Sequence, residues 1–496
     1  MNDQVPSLRM QAVRGVKWSG ISAVITTVLM YARLAVLAHL LSPKDFGLMG
    51  MVLVIVGIGS AFADMGISNA IIWKQDVTSD QLSTLYWLNI LASVAVFFIT
   101  LAVSPIVAAF FHEPRLVNLM LWAAFIFPIT AIGQQFQMLL QKELRFKKLA
   151  YVEIAVAAVN ATIAIAAAFL HKGVYSLIWG QIAQCAFSAF LFAYIGWQEW
   201  RPRLVFKPRK LDGMIAFGLN LMGQRAVDVF SYNVDYIMVG HFLGPTPLGL
   251  YMLAWQLMIA PMMKINPTLT RVAFPVFSRR QTDDGALRRG YVELSKMVSI
   301  IAFPIIVLAG AAAPVLVPAV FGPKWNAAVP LVQIFVLLGL LRSLASLFAP
   351  LALAKGRADI GFELSVAVAV VSAITFWFAA QSGLYAIAWV EVLVSALLFL
   401  GVTKLLKYLV DLRYGNYFKE IGKPTLLTLG AGGVTYGCYY ILKGASIGNL
   451  WMLIASLTAG VLSYGLLIAL FERKYFLYYF WLFFGRDTGG IIVGGD

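Results

Sequence analysis

Charged side chains inside long apolar runs are the residues of this sequence best placed to do chemistry. An ionised group at the centre of a bilayer costs roughly 2.5–3.5 kcal/mol on insertion scales, so those that persist face a water-filled cavity or a partner. Arg33, Arg225, Lys264, Arg271 and Arg342 are such cations, and Asp64, Asp228 and Asp235 are such acids. Arg offers a phosphate a bidentate fork and Lys a point charge. The cations are therefore candidates for gripping an anionic head group. The acids are candidates for facing the same cavity or for pairing with these cations. Each also has a plainer reading. Arg225 and Asp228, three residues apart, could neutralise each other on one helix face. Asp64 could hold freed backbone or a neighbouring helix. Arg33 and Asp235, at equivalent positions of a repeat described below, could pair across a cleft. Glu153, Glu363 and Glu391 stand nearer the ends of their runs, where water reaches them.

Pro261 and Pro267 flank Lys264. Each removes a backbone donor and kinks a helix. Broken backbone at membrane depth is tolerated where it lines a cavity, so this stretch is a candidate hinge. Tyr31, Trp87, Tyr232, Tyr236, Trp255 and Trp377 could stack on sugar rings or simply pack. The four histidines have no metal-binding spacing, and Cys185 and Cys438 lie in apolar runs. Neither a disulfide framework nor a metal site is implied, no cofactor is called for, and no catalytic residue is assigned.

These residues need elements to position them, and composition says which. Of the 496 residues, 61% are apolar and 12% charged, and the mean hydropathy is +0.82. Soluble domains are about a quarter charged, so an all-α polytopic membrane protein is expected. Runs long enough for a hydrocarbon core of about 30 Å fall near 15–41, 46–73, 82–104, 115–140, 150–170, 174–198, 212–243, 248–277, 293–321, 327–353, 358–380, 383–403, 421–442 and 449–471. That predicts fourteen transmembrane helices. The first run is too long for a cleaved signal and reads as a retained span.

The chain repeats itself. Leu37–Met51 and Val239–Leu253 align with His39 on His241, Leu41 on Leu243, Pro43 on Pro245, Gly47 on Gly249 and Leu48 on Leu250. Gly173–Gln181 aligns with Gly383–Glu391, and Phe111 and Phe125 with Phe321 and Phe335. Matches in one order predict a duplicated unit. The expected organisation is an N-terminal lobe over 1–198, a cytoplasmic linker over 199–211, a C-terminal lobe over 212–403 and two unmatched helices over 404–471. An aromatic interfacial segment and tail follow over 472–496. Six helices per half, an even number, make the halves parallel repeats about an axis along the membrane normal, with a substrate cleft between them.

The net charge of +15 follows the same topology. With a cytoplasmic N-terminus, the outward loops hold Lys44, Arg115, Lys172, Lys324 and Lys443. The inward loops hold far more, including Lys142, Arg145, Lys147, Lys148, Arg201, Arg203, Lys207, Arg209 and Lys210. The positive-inside rule then places both termini in the cytoplasm. The basic surplus is topological and does not imply nucleic acid. The outward loops are short, the longest about ten residues around Ser104–Pro114, which leaves no room for the catalytic loop of a polymerase or ligase.

The run Arg33-Leu-Ala-Val-Leu-Ala-His-Leu-Leu-Ser-Pro-Lys-Asp-Phe-Gly-Leu, then Phe62-Ala-Asp64-Met-Gly66-Ile-Ser-Asn69-Ala, resembles the polysaccharide transporter family. These are the Wzx-type flippases of the multidrug/oligosaccharidyl-lipid/polysaccharide exporter superfamily. Asp235-Tyr-Ile-Met-Val-Gly and Gly249-Leu-Tyr251 fit it as well, and the nearest likeness is to the colanic-acid exporter type. The resemblance implies fourteen helices in two lobes around a cationic cavity. It also implies that an undecaprenyl-diphosphate-linked oligosaccharide is flipped to the periplasmic leaflet of the bacterial inner membrane, with helices 13 and 14 holding the lipid tail. Other polysaccharide-assembly proteins are expected partners. A lipid II flippase and a cation-coupled multidrug antiporter of the same superfamily remain alternatives.

Overall fold

The computed structural model describes residues 8–472 apart from 68–70, 72–75, 212, 261–276, 278–281 and 445–446. Its regular elements are helical. In chain order they are α1 (Leu8–Leu40), α2 (Pro43–Asp64), α3 (Ser79–Phe110), α4 (Arg115–Ala124), α5 (Ile126–Lys142), α6 (Phe146–Phe169), α7 (Tyr175–Gly196), α8 (Met214–Leu243) and α9 (Pro245–Met258). Then come α10 (Asp284–Ala311), α11 (Ala313–Phe321), α12 (Val329–Ala345), α13 (Phe348–Ala354), α14 (Ala358–Ala380), α15 (Leu384–Val410), α16 (Tyr414–Leu442) and α17 (Asn449–Phe471). Among the described residues, ten helical segments are long and apolar enough to cross a membrane. The 30-residue α8 is not among them, being interrupted by Arg225, Asp228 and Asp235. Most of the expected 248–277 span lies outside the described residues.

Local chemistry sets the helix ends. Ser42 and Asp45 form a capping box with Pro43 in the first turn of α2, and Thr78 and Gln81 form another at the start of α3. Each satisfies two backbone donors that a helix start would otherwise leave open. Three runs that read as single spans are broken, at Phe125, at Ala312 and at Ser346–Leu347. Pro128, Pro314 and Pro350 follow these breaks within the first turn of the next helix. A proline ring clashes with the carbonyl four residues back but is at home in a first turn. Pro105 has the opposite outcome. It lies inside α3, which continues to Phe110, so the expected Ser104–Pro114 loop shrinks to residues 111–114.

The helices form two compact units, Met1–Met252 with Ser365–Ile387 and Leu253–Leu364 with Ala388–Asp496. In the first, α1 and α7 flank α6 while α2 packs on α3 and α8. Tyr86, Phe136, Leu140, Leu149, Val152, Val156 and Phe192 form one of its cores. In the second, α10 packs on α12, α16 and α17. Ala312, Val315, Tyr439, Met452 and Leu453 form a core there. Lys296 on α10 reaches Glu420 on α16 at 2.8 Å and Glu472 after α17 at 3.2 Å. Tyr464 on α17 donates to the Ile300 carbonyl at 2.7 Å.

The two repeated hairpins meet within the first unit. A Cβ on Gly47 would lie 1.6 Å from the Pro245 carbonyl oxygen, and one on Gly249 would lie 1.9 Å from that of Pro43. Residue i of one copy touches residue j of the other, and the reverse, which is the mark of local two-fold symmetry. Only glycine allows backbones so close. Gly244, between α8 and α9, turns the second hairpin at φ 83.

Candidate substrate site

A second pair of glycines builds the site. After Asp64 the chain leaves α2 through Met65 at φ 46 and Gly66 at φ 65. A Cβ on Gly66 would lie 2.3 Å from the Gly218 carbonyl oxygen, and one on Gly218 would lie 2.5 Å from that of Met65. The end of α2 therefore rests directly on the backbone of α8. That contact brings Asp64 to Arg225, two turns farther along α8.

The Asp64 carboxylate is buried and fully engaged. Its Oδ2 accepts from Arg225 Nη1 at 2.9 Å, and its Oδ1 accepts from Gln134 Nε2 on α5 at 2.5 Å. Gln134 Oε1 in turn accepts from Asn89 Nδ2 on α3 at 3.4 Å. The two members of the ion pair differ in access: the Asp64 side chain is 5% exposed and that of Arg225 57%. Both line a cavity of about 240 Å³ with Ser60, Ser93, Thr130 and Gln134, backed by Phe127 and Val229. Such a site presents a guanidinium tethered by one N–H, with hydroxyls and an amide beside it. An arginine fork has five donors, so a tethered Arg225 still has enough to bind an oxyanion. Asp64 fixes its position and keeps the empty site near neutrality.

Arg225 thus pairs across helices with Asp64, while Asp228, three residues on, is half-buried. Of the two structural readings of Asp64, the neighbouring-helix one holds. Arg33 sits in another network: its Nη1 donates to Asn160 on α6, and Asn160 donates to Gln184 on α7. Arg33 therefore bonds Asn160 rather than Asp235, although all three lie in the first unit. Asp235 is buried and accepts the N–H of Tyr236 at 2.9 Å. In the second unit, Arg342 on α12 pairs with Glu391 on α15. Glu391 is buried, which corrects its reading as a solvated residue at a run's end; the burial comes from its partner helix, not from its place in the run. Glu363 is exposed. Lys264, Arg271, Pro261 and Pro267 lie outside the described residues.

Two of the aromatics have partners within the first unit. Trp87 donates to the Arg203 carbonyl at 2.8 Å, and Trp377 packs edge-on against Phe242. The sequence reading missed Asn89, Gln134, Asn160 and Gln184 because it ranked only charges. Amides inside apolar runs carry the same signal at lower strength, since each needs a partner when buried. Lys296 was missed because it stands near the start of its run.

Residues 36–330 match a family described as "Polysaccharide biosynthesis protein". The chain is 33% identical over 461 residues to the teichuronic acid biosynthesis protein TuaB of Bacillus subtilis (strain 168), covering 93% of this chain and 95% of that one. It is 31% identical to the lipopolysaccharide biosynthesis protein WzxC of Escherichia coli (strain K12), covering 88% and 89%. Its fold is similar to that of the lipid II flippase MurJ in an inward closed conformation, at TM-score 0.74 and 14% identity over 92% of this chain and 99% of that one. An inward-facing multidrug transporter of the MATE family aligns at TM-score 0.60 and 15% identity, over 77% and 95%. The chain belongs to the polysaccharide biosynthesis family, the Wzx-type flippases, as a multi-pass membrane transporter and not an enzyme.

Proposed function

We propose that this protein flips an undecaprenyl-diphosphate-linked oligosaccharide, the repeat unit of a surface polysaccharide, from the cytoplasmic to the periplasmic leaflet by alternating access. The carrying observation is the match to TuaB and WzxC along nearly the whole chain. In this reading fourteen spans form two parallel-repeat lobes and a C-terminal helix pair that guides the lipid tail. Both termini are cytoplasmic, and other polysaccharide-assembly proteins are partners. Sugars and diphosphate cross in a polar passage while the tail stays in lipid. Arg225, on its cavity, binds the diphosphate with Arg33, Lys264, Arg271 and Arg342 along the same path. Asp64, Asp228 or Asp235 takes up H+ or Na+ and returns the empty carrier.

Leaflet location tests it. With the gene deleted, lipid-linked oligosaccharide should accumulate on the inner leaflet, out of reach of an impermeant lectin on spheroplasts, and re-expression should reverse this. Intact surface polysaccharide without accumulation, also after deletion of any second flippase gene, would transfer the protein to drug or ion export.

A further inference from the structure

The linker after α7 is pinned to the first turns of α3. The Arg203 N–H donates to Ser83 Oγ at 3.1 Å, and the Lys207 N–H to Thr84 Oγ1 at 3.1 Å. The Trp87 indole donates to the Arg203 carbonyl at 2.8 Å, and the Thr84 hydroxyl approaches the Val205 carbonyl at 3.5 Å. All four bonds use odd-numbered linker residues. The even-numbered Leu204 and Phe206 make none of them, and these residues are 91% and 51% exposed. Leu204 is thus almost bare, outside any span, on a segment held in place by hydrogen bonds.

Cations surround these two side chains. Arg201, Arg203, Lys207 and Arg209 are all exposed. The acids nearby are engaged: Asp80 meets Lys207 at 3.0 Å, and Glu199 pairs with Arg145 and, at 3.3 Å, with Lys148. The strap runs beside the end of α7 and the start of α3, where the chain leaves its apolar spans. Trp197 and Tyr194, at the end of α7, are exposed, as aromatics are at a membrane–water interface. Apolar side chains that enter the acyl boundary, ringed by cations at headgroup depth, make an interfacial anchor. A polypeptide partner would also suit the cations, but the strap lies against the ends of two apolar spans, α3 and α7, which favours lipid.

We propose that the strap 201–209 is a binding site for anionic phospholipid headgroups, with Leu204 and Phe206 inserted in the acyl boundary and Arg201, Arg203 and Arg209 on the phosphates. This is independent of what the protein transports. The test uses the full chain with Cys185→Ser, Cys438→Ser and Leu204→Cys, labelled at 204 with an environment-sensitive fluorophore. It is reconstituted in phosphatidylcholine vesicles containing phosphatidylglycerol, with bromine on the chains of one lipid or the other. Brominated phosphatidylglycerol should quench the label more strongly than brominated phosphatidylcholine at equal content, and salt should erase the preference. Each Arg→Gln change at 201, 203 or 209 should weaken phosphatidylglycerol binding about five-fold, the factor that ~1 kcal/mol per surface cation gives. Equal quenching by both lipids would reduce the strap to an apolar contact with no headgroup site. Water-like emission with no quenching would place it in solvent or under a polypeptide. Either result overturns the proposal.

Discussion

Asp64 in the first unit and Glu472 in the second are both buried carboxylates paired with one cation, yet the two clusters are built in opposite senses. At Asp64 the acid is buried and the partner Arg225 is open to a cavity. At Glu472 the cation is buried: Lys296 is 6% exposed and is shared with the half-exposed Glu420. Lys296 therefore joins α10, α16 and the end of α17 and has no face to offer a ligand. Arg225 is held from behind and presented forward. The difference shows that a charge in an apolar run is not by itself a ligand group. Which partner is buried decides whether the pair binds or clamps.

Breaking the clamp should have the largest effect. Lys296→Ala leaves Glu472 buried without its cation, and removing one partner of a buried pair costs about 3–5 kcal/mol. The thermal midpoint of the purified protein should fall steeply, and export should fall only with the amount of folded protein. Lys296→Met combined with Glu472→Leu should recover most of the loss, because apolar replacement of both partners is often neutral. An unchanged midpoint in the single variant would remove the clamp from this comparison.

A contact made by shape alone gives the next scale. Gly47→Ala or Gly249→Ala should each cost about 1–3 kcal/mol by overpacking. The double variant should cost less than the sum, since one methyl already parts the two hairpins. Full additivity in denaturation would mean that the repeats do not share one contact.

Arg225→Lys tests the other half of the comparison. Charge and ion pair remain but the fork is lost, so stability should hold near the wild type. Export at equal expression should fall about five-fold, the worth of one net hydrogen bond of ~1 kcal/mol. Normal export with Arg225→Lys and also with Arg225→Gln would end its role as a ligand group. The smallest change is Trp87→Phe, which removes the indole bond to Arg203 and keeps the ring. It should cost about 0.5–1.5 kcal/mol and raise hydrogen exchange in the 203–207 backbone. Unchanged exchange would mean that Ser83 and Thr84 hold the strap without it.

Much of this protein was legible before any coordinates. Helix positions follow from apolar runs, and the capping boxes at Ser42 and Thr78 were within reach of a local reading. The repeat was visible in Pro43/Pro245 and Gly47/Gly249, and those residues proved to be where the two copies touch. The breaks at Phe125, Ala312 and Ser346–Leu347 were less legible, because a proline in a run marks a break in one case and is carried inside a helix in another, as at Pro105. The site was visible as a set of charges but not as a set of partners. Asp64 is 161 positions from Arg225, and Arg33 is 127 from Asn160.

The sequence by itself determined the membrane class, most of the helical runs and the local capping chemistry, and the duplicated hairpin. Those depend on side-chain hydrophobicity and on hydrogen bonds a few residues long. Only the tertiary structure decided that Arg225 answers to Asp64 rather than Asp228, that Arg342 answers to Glu391, and that Lys296 is a clamp. Pairing and exposure are set by which helices come together, and at Asp64 that depends on Gly66 and Gly218 letting two backbones touch.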